Sequence, residues 1–143
     1  MQMTLIPLRD AAPDVLAAVL ALNEADKTFT SEMDAARLAR MVAASPYAVA
    51  AVDGGQVLAF LIGFDPASDY DSPNFIWFRD RLPRFAYVDR IVVSPAARGR
   101  GLARALYAAF DAHARTAGLE RMVCEVYSDP PNPVSDAFHT RLG

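Results

Sequence analysis

The segment Ile91-Val92-Val93-Ser94-Pro95-Ala96-Ala97-Arg98-Gly99-Arg100-Gly101-Leu102-Ala103 constrains this chain more than any other. A continuous apolar run enters a loop that holds two glycines and two arginines, and a helical pattern begins directly behind it. A run without polar alternation is expected of a strand buried on both faces. The helical pattern, Gly101 to Gly118, sets Leu102, Leu106, Ala109, Phe110, His113 and Ala117 on one stripe, and Gly118 suits the residue just past a helix end. A strand pattern, Arg121 to Tyr127, follows. Strand 85–93, helix 101–118 and strand 121–127 therefore make a βαβ unit, in which the strands run parallel and the crossover is right-handed.

The preceding half of the chain asks for antiparallel pairing. Tyr47 to Val52 and Val57 to Phe64 flank Asp53-Gly54-Gly55, and glycine adopts positive φ at little cost, so this reads as a hairpin. Thr4 to Leu8 predicts an earlier strand. Asp10 can cap a helix with Pro13 and Asp14 in its first turn and Val15, Leu16, Val19, Leu20 and Asn23 on one stripe. After a polar break at 26–30, Ser31 with Asp34 resembles a capping box, and Leu38, Met41 and Val42 form the buried stripe of a second helix ending near Ser45-Pro46. A polar loop spans 65–73, and Asn74 to Arg79 is a short helix or an extended piece. Asp129-Pro130-Pro131-Asn132-Pro133 breaks the last strand, and Val134 to Leu142 has a helical pattern. The order is β-α-α-β-β-β-α-β-α. The expected fold is α/β with a mixed sheet, an antiparallel front half followed by a parallel pair, in a single domain over residues 1–143.

Composition narrows the function classes. With 53% hydrophobic and 22% charged residues the chain is not of the disordered type. Fourteen Lys and Arg against seventeen Asp and Glu give a net charge of −3, a poor basis for non-specific nucleic-acid binding. A single cysteine, Cys124, excludes an intramolecular disulfide and a cysteine-rich zinc site, and the two histidines have no metal-ligand spacing. Neither a signal sequence nor an apolar run of about 20 residues is present, which leads us to expect a cytoplasmic protein.

The glycine loop is the chemical signal. Amides of a helix's first turn have no intrahelical acceptor, and the helix dipole adds positive potential there. Glycines admit close approach, and Arg98 and Arg100 add charge, so the segment is a phosphate cradle. It is not a nucleotide P-loop, since no Gly-Lys-Ser/Thr follows, and it is not a dinucleotide fingerprint, since Arg104 stands at the third glycine position. A turn with solvated arginines is the plain alternative.

Arg98-Gly99-Arg100-Gly101-Leu102-Ala103 resembles the Arg/Gln-x-x-Gly-x-Gly/Ala signature of the Gcn5-related N-acetyltransferase (GNAT) superfamily. Asn132-x-x-Ser135-x-x-Phe138-His139-x-x-Leu142-Gly143 is similar to that superfamily's last conserved segment, in which tyrosine replaces His139 and Leu-Gly-Phe follows. The resemblance in element order covers nearly the whole chain. It implies transfer of an acetyl group from acetyl-CoA, as co-substrate and without a metal, to a primary amine in a ternary complex. It implies that Arg98, Gly99, Arg100, Gly101, Leu102 and Ala103 hold the CoA pyrophosphate. Ile91, Val92 and Val93 would bond the pantetheine through their main chain, and Asn132 and Ser135 would join the cofactor-binding set, Asn132 through a pantetheine amide, its plain alternative being a turn residue before Pro133.

Such transfer needs removal of a proton from the ammonium, donors for the oxyanion, and a proton for the leaving thiolate. The oxyanion donor is expected from a main-chain N–H near Val93, beside a bulge that the family has in this strand. Glu125 and Asp89 are the candidate bases. Glu125 resembles a glutamate that some members use through a water, and Asp89 shares strand parity with Ile91 and Val93. Their plain alternatives are ion pairs, Asp89 with Arg90 or Arg84. His139 is the candidate acid, with Tyr127 as a second source of a proton and simple packing over the cofactor as the alternative. His113 lies on a packed stripe.

The acceptor amine should meet the 26–30 connection and loop 65–80. There Tyr70, Asp69 and Asp71 suit a cation, whereas Arg79 and Arg81 suit a carboxylate, and both readings stay open. Trp77 either joins that wall or fills the core. The family pattern continues beyond Gly143 with two more strands, which implies a truncated form or a sheet completed by a homodimer partner. Strand 121–127 would otherwise be an exposed edge. Three further readings are a non-catalytic CoA-binding regulatory module, a transferase for protein N-termini or other acyl groups, and a phosphate-binding α/β domain.

Overall fold

The computed structural model describes residues 3–25, 33–70, 73–82, 84–97, 99, 101–119 and 121–124, without the side chains of 73, 74, 121, 123 and 124. The elements run β1 (Thr4–Pro7), a 3₁₀ turn at Leu8–Asp10, α1 (Pro13–Ala25), α2 (Ala35–Ala44), β2 (Tyr47–Asp53), β3 (Gln56–Phe64) and α3 (Pro73–Arg79). They continue with β4 (Phe85–Val93), a 3₁₀ turn at Pro95–Ala97, α4 (Leu102–Thr116) and β5 (Arg121–Cys124). The strands form one sheet in the order β1-β2-β3-β4-β5. β1 to β4 pair antiparallel and β4 pairs parallel with β5, the mixed sheet that the hairpin and the βαβ unit require. The hairpin closes on Gly54 and Gly55, both at positive φ (59° and 81°).

The sheet has a core on each face. On one, Phe60, Ile62, Phe64, Phe85, Tyr87 and Val92 pack against Val19 of α1, Leu38, Met41 and Val42 of α2, and Phe75 of α3. On the other, Ala59, Leu61, Ala86 and Val88 pack against Leu102, Leu106, Tyr107, Phe110 and Ala114 of α4. Gly63 lies under the Phe110 ring so closely that a Cβ there would fall 2.4 Å from the ring's tip. Helix α4 is thus seated directly on the sheet.

Local differences from the sequence expectation have physical causes. β1 ends at Pro7, and Asp10 belongs to the 3₁₀ turn instead of capping α1, where the Ala12 carbonyl accepts from Val15 and Leu16. Asp34 is itself the cap of α2, its carboxylate accepting the Arg37 N–H at 2.7 Å, rather than the third residue of a box. On α4 the buried stripe passes through Tyr107 and Ala114, and Ala117 is exposed. The helix ends in a Schellman turn, with Gly118 N–H on the Arg115 carbonyl and Leu119 N–H on the Ala114 carbonyl, and Gly118 at φ +78°. Residues 74–79 are helical, and Trp77 is 52% exposed while its neighbour Phe75 fills the core. None of the described helices is long and apolar enough to cross a membrane.

Candidate active site

The C-terminal end of β4 builds the site. Its pairing with β3 runs Val93↔Ala59, Val92↔Phe60, Ile91↔Leu61 and Arg90↔Ile62, then resumes at Val88↔Gly63, so Asp89 has no partner on β3. This is a β-bulge. The side chains show it independently: before the bulge Ala86 and Val88 face α4, whereas after it Ile91 and Val93 do. One extra residue inverts the alternation of the strand. Asp89 and Arg90, adjacent in sequence, therefore emerge on the same face, the one covered by α1, α2 and α3. This corrects the parity expected for Asp89, which does not share a face with Ile91 and Val93. It also limits burial on both faces to Phe85–Val88, since Ile91 and Val93 are only half-buried.

The same end of the strand fixes its amides. Ser94 donates its N–H to the Leu58 carbonyl of β3 at 2.8 Å. Alternation along an antiparallel strand then turns the Val92 N–H toward β3 and the Ile91 and Val93 N–H groups away from it. On that far side β5 pairs only as far as the bulge among the described residues, Cys124 standing opposite Val88. The Ile91 and Val93 amides thus point away from β3.

Beyond β4 the chain makes one 3₁₀ turn, with buried Ala97 bonded back to the Ser94 carbonyl at 2.9 Å. Gly99 and Gly101 follow in the left-handed region, φ +84° and +76°, with open space where a Cβ would stand. Gly101 is the N-cap of α4 and offers no side-chain cap, and Ala105 makes the first helical bond to its carbonyl. The Leu102, Ala103 and Arg104 amides consequently have no intrahelical acceptor. Leu102 is buried in the core, so only its main chain can serve a ligand. These features fit a phosphate group: bare amides, a helix dipole and no side chain in the way. Arg98, Arg100, Tyr127, Asn132, Ser135, His139 and Glu125 lie outside the described residues, as do 26–32 and Asp71.

Asp89 makes the ion pair with Arg90 that was its plain alternative, within a larger network that the sequence did not reveal. Its carboxylate accepts from the Tyr70 hydroxyl at 2.6 Å and from Arg90 Nε at 2.7 Å. Arg90 Nη1 donates to the Asn23 side-chain oxygen on α1 at 3.0 Å, and Asn23 is fully buried. The Asp89 and Arg90 side chains are 6% and 5% exposed. Tyr70 stacks on Phe64 with centroids 3.9 Å apart, and the Arg37 guanidinium lies over its ring. Burial, and then the charge of Asp89, push the Tyr70 hydroxyl well above the ordinary tyrosine value. The signals were Asn23 on an otherwise apolar stripe and two adjacent charges inside a buried strand. Arg81 lies over the exposed Trp77 ring, 4.2 Å from its centroid, on the outer side of α3. His113 packs against Tyr47 and Phe110, the structural place expected for it.

A bulged strand thus leads through a left-handed glycine pair into a helix without a side-chain cap. The sequence profile of the Acetyltransferase (GNAT) family matches residues 16–143, and the chain belongs to that family. Among solved structures, the aminoglycoside N-acetyltransferase AAC(6')-Iy in complex with a bisubstrate analogue is 23% identical, with a TM-score of 0.70, covering 100% of this chain and 90% of that one. The aminoglycoside 6'-N-acetyltransferase AAC(6')-Ih of Acinetobacter baumannii is 20% identical with a TM-score of 0.70, covering 99% and 90%. A ribosomal-protein-alanine N-acetyltransferase of Brucella melitensis biovar Abortus 2308 is 21% identical with a TM-score of 0.60, covering 88% and 79%. These likenesses show the fold. No curated protein matches the chain by sequence.

Proposed function

We propose that this chain transfers an acetyl group from acetyl-CoA to a primary amine on a small molecule, both substrates being bound together. The observation that carries the reading is the continuity of the β4 bulge, the outward Ile91 and Val93 amides, and the glycine-flanked start of α4. In this reading the first-turn amides of α4, with Arg98 and Arg100, hold the pyrophosphate, and Gly99 and Gly101 keep the approach clear. The β4 amides bond the pantetheine arm and stabilise the charge that develops on the acyl oxygen. In the same reading Asn132 and Ser135 also bond the cofactor. Glu125 takes the proton from the ammonium, and His139 supplies one to the departing thiolate. The small-amine acceptor is supported by the fold shared with aminoglycoside acetyltransferases, and by Tyr70 and Asp69 on the β3–α3 loop.

Calorimetric titration with acetyl-CoA, with ATP as control, tests the cofactor. Micromolar affinity for acetyl-CoA and none for ATP is the expected result. Equal affinity for both would reduce the loop to a general phosphate site. A thiol-release assay over a panel of aminoglycosides, polyamines and amino acids then tests the acceptor, and activity confined to a peptide N-terminus would replace the small-amine reading.

A further inference from the structure

We propose that Tyr70, Asp89, Arg90 and Asn23 form a positioning network that sets the β4 bulge and thereby the direction of the Ile91 and Val93 amides. Asp89 is then a positioning residue and not the base. The inference rests on the acetyltransferase reading only for its kinetic part.

The argument starts from the alternation of the strand. A one-residue slip exchanges both its faces and its amide directions. Without the extra residue at 89, the Ile91 and Val93 amides would turn toward β3 and be consumed in the ladder. The bulge thus decides which amides are presented, and something must hold it against the regular register. The apolar side chains of Ile91, Val92 and Val93 are too alike to do so, since each fits either face. Asp89 and Arg90 are not interchangeable with them.

Each end of the pair is tied to a different element. Asp89 reaches Tyr70 on the β3–α3 loop, Arg90 reaches Asn23 on α1, and Asp89 meets Arg90 across the bulge. Arg37 of α2 lies over the Tyr70 ring. Shifting the strand by one residue would carry one buried charge to the α4 face, where the packed side chains are apolar. Among the described residues, the charged groups facing Asp89 are Arg90 directly and Arg37 through Tyr70, and the Tyr70 hydroxyl is the other titratable group. Both Asp89 oxygens are already engaged, Oδ1 by the Tyr70 hydroxyl and Oδ2 by Arg90 Nε, and the side chain is buried among these partners.

Amide hydrogen exchange by NMR on the ligand-free chain tests the positioning. Tyr70→Phe removes one hydroxyl and keeps the stack on Phe64, so it preserves the core. The expected result is exchange at Val92 and Ser94 faster by about tenfold, the effect of one lost hydrogen bond to a charged group, with Ala50 and Leu61 in β2 and β3 unchanged. Unchanged exchange at Val92 would overturn the proposal. Asp89→Asn tests the chemical assignment through the pH profile. A positioning role predicts kcat lower by roughly ten- to a hundredfold, with little change in KM for acetyl-CoA and the acid limb of the profile retained. Disappearance of that limb would make Asp89 the base and overturn the assignment. The exchange result needs no substrate, so failure of the wild-type chain to bind acetyl-CoA would sink the functional reading while leaving the network's outcome readable.

Discussion

Gly63→Ala should be among the most damaging single-atom additions to this chain. The new Cβ would stand 2.4 Å from Cζ of Phe110 and 2.8 Å from both Cε atoms. Contacts of that length do not occur, so either the ring or the strand must move. The ring has little freedom: Phe110 is fully buried, Tyr47 stacks on it at 5.4 Å, and His113 packs beside it. The strand is held as well, because buried Ser45 donates its hydroxyl to the Gly63 carbonyl. Overpacking of this kind costs about 1–3 kcal/mol, and the rigidity on both sides argues for the upper half. For a chain of 143 residues each kcal/mol lowers Tm by about 3 °C, so a fall of roughly 6–9 °C is expected. Urea unfolding of Gly63→Ala, Phe110→Ala and the double variant gives the decisive number. Phe110→Ala alone costs about 3–5 kcal/mol, and the ring's removal should relieve most of the Gly63→Ala penalty. Strict additivity, or a single-variant loss under about 0.5 kcal/mol, would refute the idea that α4 is seated on this glycine.

Other expectations follow from single features of the fold. Gly101→Ala places a side chain at φ +76° in otherwise open space, so it should cost about 1–2 kcal/mol through the backbone alone and weaken acetyl-CoA binding in calorimetry. Asp34→Ala removes the side-chain cap of α2 and should lower stability by about 1 kcal/mol in urea while leaving acetyl-CoA affinity unchanged. Tyr70 and Tyr47 both have hydroxyls raised above the ordinary value in the folded state, by burial first in each case. Their un-ionised forms therefore favour the folded chain, and this contribution is whole below about pH 10 and is lost as pH rises further. Unfolding midpoints should fall above pH 10, less steeply in Tyr70→Phe; an equal slope in that variant would count against the buried hydroxyl.

What the sequence determined by itself was the local grammar. Gly54-Gly55 demanded a tight hairpin, the apolar run before Gly99 demanded a strand, and the Leu102–Gly118 pattern demanded a helix crossing back to a parallel neighbour. Each depends on interactions within a few residues or on a period that a short window displays. The glycine turn at the start of α4 was legible for the same reason, since φ at Gly99 and Gly101 and the bare first turn are local properties. Tertiary structure decided the rest. Strand parity predicted the wrong face for Asp89, because a bulge is a mismatch between two strands and only one of them is visible in a window. Asn23, Tyr70 and Arg90 lie far apart in sequence, and their meeting is written in the packing of α1 and the β3–α3 loop on one sheet face. Trp77 stayed outside and Phe75 went in because the position of α3 over β4, and not hydrophobicity, selected which aromatic faced the core. Periodicity tells which residues can share a face; only the assembled sheet sets which face it is and which amides are left to meet a ligand.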